Sequence, residues 1–332
     1  MSAKAVELLG IGNALVDVLA NVDDRFIESE EANGMIKGAM VLVDEGRAKA
    51  VYDKMPPSVE VSGGSAANTM AGFASFGGNG AFIGKVAKDQ LGDVFEHDLK
   101  AQGIDYRTSR LIEGPETGRC MILVTPDAQR TMNTFLGASI QLRPDDIDAE
   151  LVAKADISYL EGYLFDPEHA KDAFRKAGDI VKQNNKKLAL TLSDTFCVDR
   201  HREDFLDLVS GPVDIVFANE EELKTLFQTD DLMAACDAIA QKCDIAAVTR
   251  GEKGSVVIHG EERFDIAAIP PSDLVDTTGA GDLYAAGFLY GQAKGKSLAE
   301  CGHLGSVAAA EVISHMGPRP KVSLADLAKK AA

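Results

Sequence analysis

The residues with the clearest chemical meaning are Asp276-Thr277-Thr278-Gly279-Ala280-Gly281-Asp282, which open Leu283-Tyr284-Ala285-Ala286-Gly287-Phe288, an apolar run of helical spacing. Three small residues at a helix start leave several backbone N–H groups unpaired and reachable. With the helix dipole, those donors make an anion site. Asp282 falls in the first turn, its carboxylate beside that anion. An acidic residue there is ordinarily a favourable dipole contact and nothing more. That account leaves Gly-Ala-Gly unexplained, because glycine is poor at starting a helix by propensity. A carboxylate beside an anion cradle suits phosphoryl transfer to an alcohol: the cradle stabilises the transferring charge, and Asp282 orients the hydroxyl and takes its proton. The helix start by itself lowers a carboxylate's pKa and makes Asp282 a weak base, which a loose transition state tolerates.

Two other glycine clusters carry less. Gly10-Ile11-Gly12-Asn13-Ala14-Leu15 begins like a dinucleotide fingerprint, but Leu15 stands where the third glycine permits close helix–strand packing. The segment Gly80 to Val86 has Asn79 where a P-loop needs its first glycine and Val86 where it needs Ser or Thr.

The segment Asp276–Asp282 is similar to the C-terminal signature DTxGAGD of the ribokinase-like (PfkB) family of carbohydrate and nucleoside kinases, and Gly63-Gly64-Ser65-Ala66-Ala67-Asn68 resembles that family's other signature. The resemblance covers nearly the whole chain. It implies that Gly279, Ala280 and Gly281 form the anion hole, with Thr277 alongside, and that Gly63, Gly64 and Asn68 contact the acceptor. Asn219 to Glu222 resembles the NxxE motif, which implies ATP phosphates with Mg²⁺ held by Glu222 through water; Mg²⁺ prefers one or two carboxylates and keeps its waters. Thr249-Arg250-Gly251-Glu252-Lys253-Gly254 looks like the family's turn beside ATP. Asn13 to Asp17 matches the place of the family's sugar-binding Asp, a group able to accept two hydrogen bonds from a diol. Arg130 resembles a lid arginine that closes over the phosphates, and Asp276 with Thr278 matches a monovalent-cation (K⁺) site. The spacing of Gly12-Asn13 and Asp17, with Arg130-Thr131-Met132 and Gly137-Ala138, is most like the adenosine-kinase branch. Leu15 and Met40 supply apolar walls, and Tyr163, Leu164 or Phe165 stands where the acceptor base would stack.

Elements must position these groups. Short apolar runs at Val6–Ile11, Ala81–Gly84, Ile157–Leu160, Leu188–Leu192, Ile215–Ala218 and Ala246–Thr249 alternate with helical patterns at Ser65–Phe76, Asp89–Gln102, Glu168–Gln183, Arg202–Val209, Glu220–Phe227, Leu232–Cys243, Ala280–Lys294 and Leu298–His315. That alternation predicts a three-layer α/β/α fold with a mostly parallel sheet, and ligands beyond the carboxyl ends of its strands. Arg119–Val124 and Arg130–Phe135 alternate around Pro126-Asp127 and predict an antiparallel hairpin. Residues 1–12, 46–103 and 138–332 are expected to form the large nucleotide-binding and catalytic unit, and 13–45 with 104–137 a small β lid over the acceptor.

The 332 residues carry 34 Lys+Arg against 52 Asp+Glu, a net charge of −18. No basic run is longer than two residues, so nucleic acid and anionic membranes are poor partners. Five cysteines without CxxC spacing exclude a disulfide framework or zinc site, and no apolar run is long enough to span a membrane. The expectation is a cytoplasmic enzyme, monomeric or dimeric through the lid, transferring the γ-phosphoryl group of ATP with Mg²⁺ to a primary hydroxyl. The acceptor is a nucleoside such as adenosine, or else a sugar such as ribose, fructose or 2-keto-3-deoxygluconate. A silent nucleoside- or sugar-binding regulator is the alternative of another class.

Overall fold

The computed structural model describes residues 5–127 and 129–331. Its strands are β1 (Leu8–Ile11), β2 (Leu15–Asn21), β3 (Met40–Leu42), β4 (Val59–Gly63), β5 (Gly80–Ile83), β6 (Asp105–Tyr106), β7 (Thr117–Val124), β8 (Arg130–Gly137), β9 (Ile157–Glu161), β10 (Lys187–Thr191), β11 (Ile215–Asn219), β12 (Ile245–Thr249), β13 (Ser255–His259) and β14 (Glu262–Ile266). A nine-stranded sheet has the order β14-β13-β12-β11-β10-β9-β1-β5-β6. It is parallel from β12 to β6, and β13 and β14 add an antiparallel edge.

The two-residue period of β1 shows how the layers arise. Leu9 and Ile11 join a core with Phe165, Phe174, Phe205 and Leu223 on one face. Leu8 joins Met70, Phe73, Phe95, Tyr284 and Phe288 on the other. Both faces of the sheet are covered by helices, which is why its central strands read as continuous apolar runs. The expected three-layer α/β/α architecture is the observed one. After β1 the chain enters another strand rather than a helix, so the Gly10–Leu15 segment is no dinucleotide fingerprint.

A second sheet has the order β3-β8-β7-β2-β4. The hairpin β7–β8 is antiparallel as the alternation predicts. Strand membership differs from the sequence division in two places. β4 pairs with β2 and so belongs to the small sheet, although residues 46–103 were assigned to the large unit. β6 pairs with β5 at the edge of the large sheet, although residues 104–137 were assigned to the lid. The helix Glu45–Tyr52, capped by Asp44, also packs on the small sheet through Ala48 and Val51 against Met121, Leu123 and Phe135. Among the described residues no helix is long and apolar enough to cross a membrane, and all five cysteines are free thiols.

Candidate active site

β9, β10, β11 and β12 are parallel neighbours, and their carboxyl ends carry Glu161, Thr191, Asn219 and Thr249. Against this edge stand the starts of two helices, Ser65–Ser75 and Ala280–Ala293. The first is entered through Gly63-Gly64. A Cβ on Gly63 would fall 2.4 Å from the Asp17 carboxyl, and Gly64 has φ +97° with the carbonyl of Asn13 where its Cβ would be. The glycine pair therefore lets β4 pass close under Asp17 and turn sharply into the helix.

The second helix is capped by Gly279 at φ +79°. Ala280 N–H donates to Thr277 O and Leu283 N–H to Gly279 O, while the N–H groups of Gly279, Gly281 and Asp282 have no backbone partner among the described residues. A side chain on Gly281 would project into open space. This is the donor cluster expected of an anion cradle. Asp282 accepts 2.6 Å from Ser65 Oγ and 3.0 Å from Asn68 Nδ2. Its carboxyl is raised above the usual carboxylate range by burial, against the lowering effect of those two bonds and of Arg319. The weak base expected from the helix start is thus corrected: desolvation outweighs the donors around it.

Asp17, on β2, is 7% exposed. Burial pushes its carboxyl up to about 6, opposed by Arg319 and then Arg130. The register places Asp17, Cys120 and Thr134 in one row across the small sheet, with Leu42 beside Thr134. Met40 and Met132 pair in the next row on the same face. Leu15 precedes Asp17 by two on that face and is 8% exposed, whereas Met40 is 44% exposed.

Several expected contacts are committed elsewhere. Asn13 is buried; its Nδ2 donates to Glu161 and its Oδ1 accepts from Ser139, so it braces the site and does not face an acceptor. Asn68 spends its amide on Asp282 and Arg319. Leu164 and Phe165 lie in the core, leaving Tyr163 as the partly exposed member of that trio. Its hydroxyl donates to Ser193 O, and burial with the charges of Asp194, Asp282 and Glu222 raises its pKa.

Asn219 and Glu222 form a capping box, with Glu222 N–H donating to Asn219 Oδ1 at 2.8 Å and Asn219 donating to both Glu222 oxygens. Burial, with Asp194 nearby, pushes the Glu222 carboxyl up to about 7. No cluster of three metal-ligating side chains occurs among the described residues. This donor set fits Mg²⁺ carried on phosphate oxygens with its waters, not a protein cage. Thr249 sits beside Asn219, and the turn after it has Gly251 and Gly254 at positive φ.

Arg130, on β8 of the small sheet, brings Nη2 to 2.5 Å from Asp276 Oδ2. The approach is ionic and poorly aligned: none of its guanidinium nitrogens has a hydrogen-bond partner among the described residues. Asp276 also accepts from Thr278 N–H and Gly317 N–H. The expected K⁺ site at Asp276 and Thr278 does not fit this arrangement, since the guanidinium already holds the carboxylate.

Three groups escaped the sequence reading. Glu161, pushed up to about 7 by burial, accepts from Asn13 Nδ2 and Ala66 N–H. Asp194 caps the helix Thr195–Arg200 beside Glu222. Arg319 follows the last long helix, and its signal was a single cation between two prolines, Gly317-Pro318-Arg319-Pro320.

Known proteins resemble this chain over most of its length. The pfkB family carbohydrate kinase profile matches residues 39–324. Adenosine kinase of Saccharomyces cerevisiae is 31% identical over 94% of this chain and 96% of its own length. The crystal structure of adenosine kinase from Sinorhizobium meliloti superposes with a TM-score of 0.91 at 52% identity, covering 99% of this chain and 100% of that one. A probable sugar kinase from Rhizobium etli gives a TM-score of 0.92 at 49% identity over 99% of both. By its motifs, its two-sheet architecture and this coverage, the chain belongs to the pfkB family of carbohydrate kinases, phosphotransferases with an alcohol group as acceptor.

Proposed function

We propose that this chain transfers the γ-phosphoryl group of ATP to a primary hydroxyl of a nucleoside, adenosine first among them. The observation that carries the reading is Asp282, raised in pKa and held by Ser65 and Asn68, at the head of a helix whose Gly279 and Gly281 N–H groups have no backbone partner. The acceptor hydroxyl gives its proton to Asp282 as its oxygen bonds the γ-phosphorus, the bridging P–O bond breaks, and ADP leaves with those electrons. The unpaired N–H groups stabilise charge on the transferring oxygens, and Arg130, whose guanidinium nitrogens have no hydrogen-bond partner among the described residues, adds its charge to theirs. Bound Mg²⁺ supplies further neutralisation of phosphate charge. Asp17 accepts from the hydroxyls of a diol.

The likeness to two adenosine kinases supports a nucleoside. So does the apolar strip of Leu15, Met132, Met40 and Leu42 on the Asp17 face, which suits a flat base better than a free sugar. A second reading, a sugar kinase, is favoured by the likeness to the Rhizobium etli protein and by the lack of an aromatic side chain in that strip. Five free thiols suit a reducing, ATP-containing cytoplasm.

The test is ATP consumption with mass spectrometry of products across adenosine, inosine, ribose, fructose and 2-keto-3-deoxygluconate, with and without K⁺. The expected result is the highest kcat/KM for adenosine and product carrying phosphate on the primary hydroxyl. Preference for a free sugar selects the second reading, and no turnover with any of the five overturns the nucleoside assignment.

A further inference from the structure

Arg319 lies outside every motif that marks the site, on the loop between the helices Leu298–Val312 and Leu324–Ala331. The loop is pinned at three points. Gly317 N–H donates to Asp276 Oδ2 at 3.0 Å. Pro318 packs on Gly279, and Met316 packs on the small sheet against Cys120, Ile122 and Val124. Prolines on both sides of Arg319 restrict its backbone, so the side chain leaves from a stiff base.

Its Nε–H donates to Asn68 Oδ1 at 3.3 Å, and the same amide donates from Nδ2 to Asp282 Oδ2 at 3.0 Å. An amide has two faces of opposite character, and either could meet a carboxylate after a flip. A guanidinium has only donors, so its bond to Oδ1 forces the NH₂ face toward Asp282. The remaining geometry concerns charge. Arg319 is the largest opposing influence to burial at Asp17 and also acts on Asp282, and Asp98 is its other acidic neighbour. Its Nη2 is buried with no hydrogen-bond partner among the described residues. Around Asp282 stand Asp17 from β2, Glu161 and Tyr159 from β9, and Tyr163; around Asp17 stand Arg130 from β8 and Cys120 from β7. Arg319 is the cation that acts on both Asp17 and Asp282.

We propose that Arg319 is a positioning residue for phosphoryl transfer: it locks the Asn68 amide in the orientation that donates to Asp282, and its charge keeps Asp17 and Asp282 ionised together. The role rests on the reading of Asp282 as proton acceptor. Burial lowers the guanidinium only to about 10, so it is charged throughout the neutral range.

The test compares wild type, Arg319→Gln and Arg319→Lys by kcat and kcat/KM from pH 5 to pH 9. Removing a positive charge raises the carboxyl pKa values, so the acid limb of Arg319→Gln moves up by about one pH unit, a roughly fivefold loss at pH 6 that shrinks toward pH 9. Arg319→Lys keeps the acid limb in place with a lower plateau, because the charge is restored without the aligned Nε–H. Asn68→Ala combined with Arg319→Gln costs less than the product of the single losses. Equal loss of rate by Arg319→Gln at every pH, or none, overturns the proposal. A second measurement works without turnover: ¹³C-carboxyl titration of aspartate-labelled protein, assigned with Asp17→Asn and Asp282→Asn. Unmoved Asp17 and Asp282 midpoints in Arg319→Gln, or in Arg319→Met should the glutamine variant not fold, overturn the charge role. Wild type that phosphorylates nothing while these midpoints do move ends the kinase reading and leaves the electrostatic role standing.

Discussion

Asp282 receives hydrogen bonds from Ser65 and Asn68, which orient it and leave a lone pair for an incoming hydroxyl proton. Asp282→Asn keeps the size and removes the base. It should cut kcat by about 100-fold or more with ligand affinities little changed, read by steady-state kinetics beside calorimetric titration. Asp17 supports a prediction about stability. Burial pushes its carboxyl up to about 6, above the ordinary aspartate value near 3.8, so the folded state holds the proton more tightly. Stability gained from that proton is full below about pH 4 and is lost as pH rises through 6, after which the ionised carboxylate is a standing cost. Asp17→Asn should therefore raise stability at pH 7–8 by up to about 3 kcal/mol while weakening acceptor binding, and the gain should fade toward pH 4, as denaturant titrations at the two pH values would show. Residues inside contiguous signatures, such as Gly64, Asp17 and Asp282, were legible because their types and spacing sit together in the chain. Glu161, Asp194 and Arg319 were not, because each acquires its role only when β9, a helix cap and a distant loop converge.

At the scale of elements, the helix Ser65–Ser75 is the lever. Its first residues hold Asp282, and its start is fixed by Gly64 at φ +97° against the Asn13 carbonyl. Gly64→Ala places a methyl group 2.3 Å from that oxygen. It should cost at least about 2 kcal/mol in unfolding free energy and lower kcat more than Asp17→Ala does, since the helix start must shift to relieve the clash. Equilibrium unfolding with parallel kinetics checks both. Long elements were readable: Glu168–Gln183 and Glu220–Phe227 have the limits their spacing suggests, because each has a clear apolar stripe and an abrupt polar stop. β4 was missed because its alternation, Val59-Glu60-Val61-Ser62, lasts only four residues between Pro56-Pro57 and Gly63-Gly64, and two-residue β6 has no pattern at all. Their partners, not their own sequences, make them strands.

For the whole molecule, the ion pair Arg130–Asp276 joins the small sheet to the catalytic motif of the large unit. Arg130→Ala removes that link and the donors that face transferring charge. It should lower kcat by roughly 10²-fold, and KM for ATP less, in initial-rate measurements. Unchanged turnover would take Arg130 out of the reaction. The net charge of −18 leaves anion binding to local donors, and the proposed ones are the backbone N–H groups of Gly279 and Gly281 with Arg130. The two-sheet layout was legible from the change of period near residue 117, but its strand membership was not, because the chain passes between the sheets four times.

Those four passages differ in slack. β1 reaches β2 through three residues, β4 reaches its helix through Gly64 alone, and β8 runs straight into the turn Ala138–Gln141. The passage from β6 to β7, residues 107–116, runs without a helix, and its tip at Ile112, Glu113 and Gly114 is exposed. The fold therefore has a seam there where added sequence can be taken up, whereas a residue inserted after β1, β4 or β8 acts directly on β2, the helix Ser65–Ser75 or the turn Ala138–Gln141. Fusions, tags and new chain ends are expected to be tolerated at that seam.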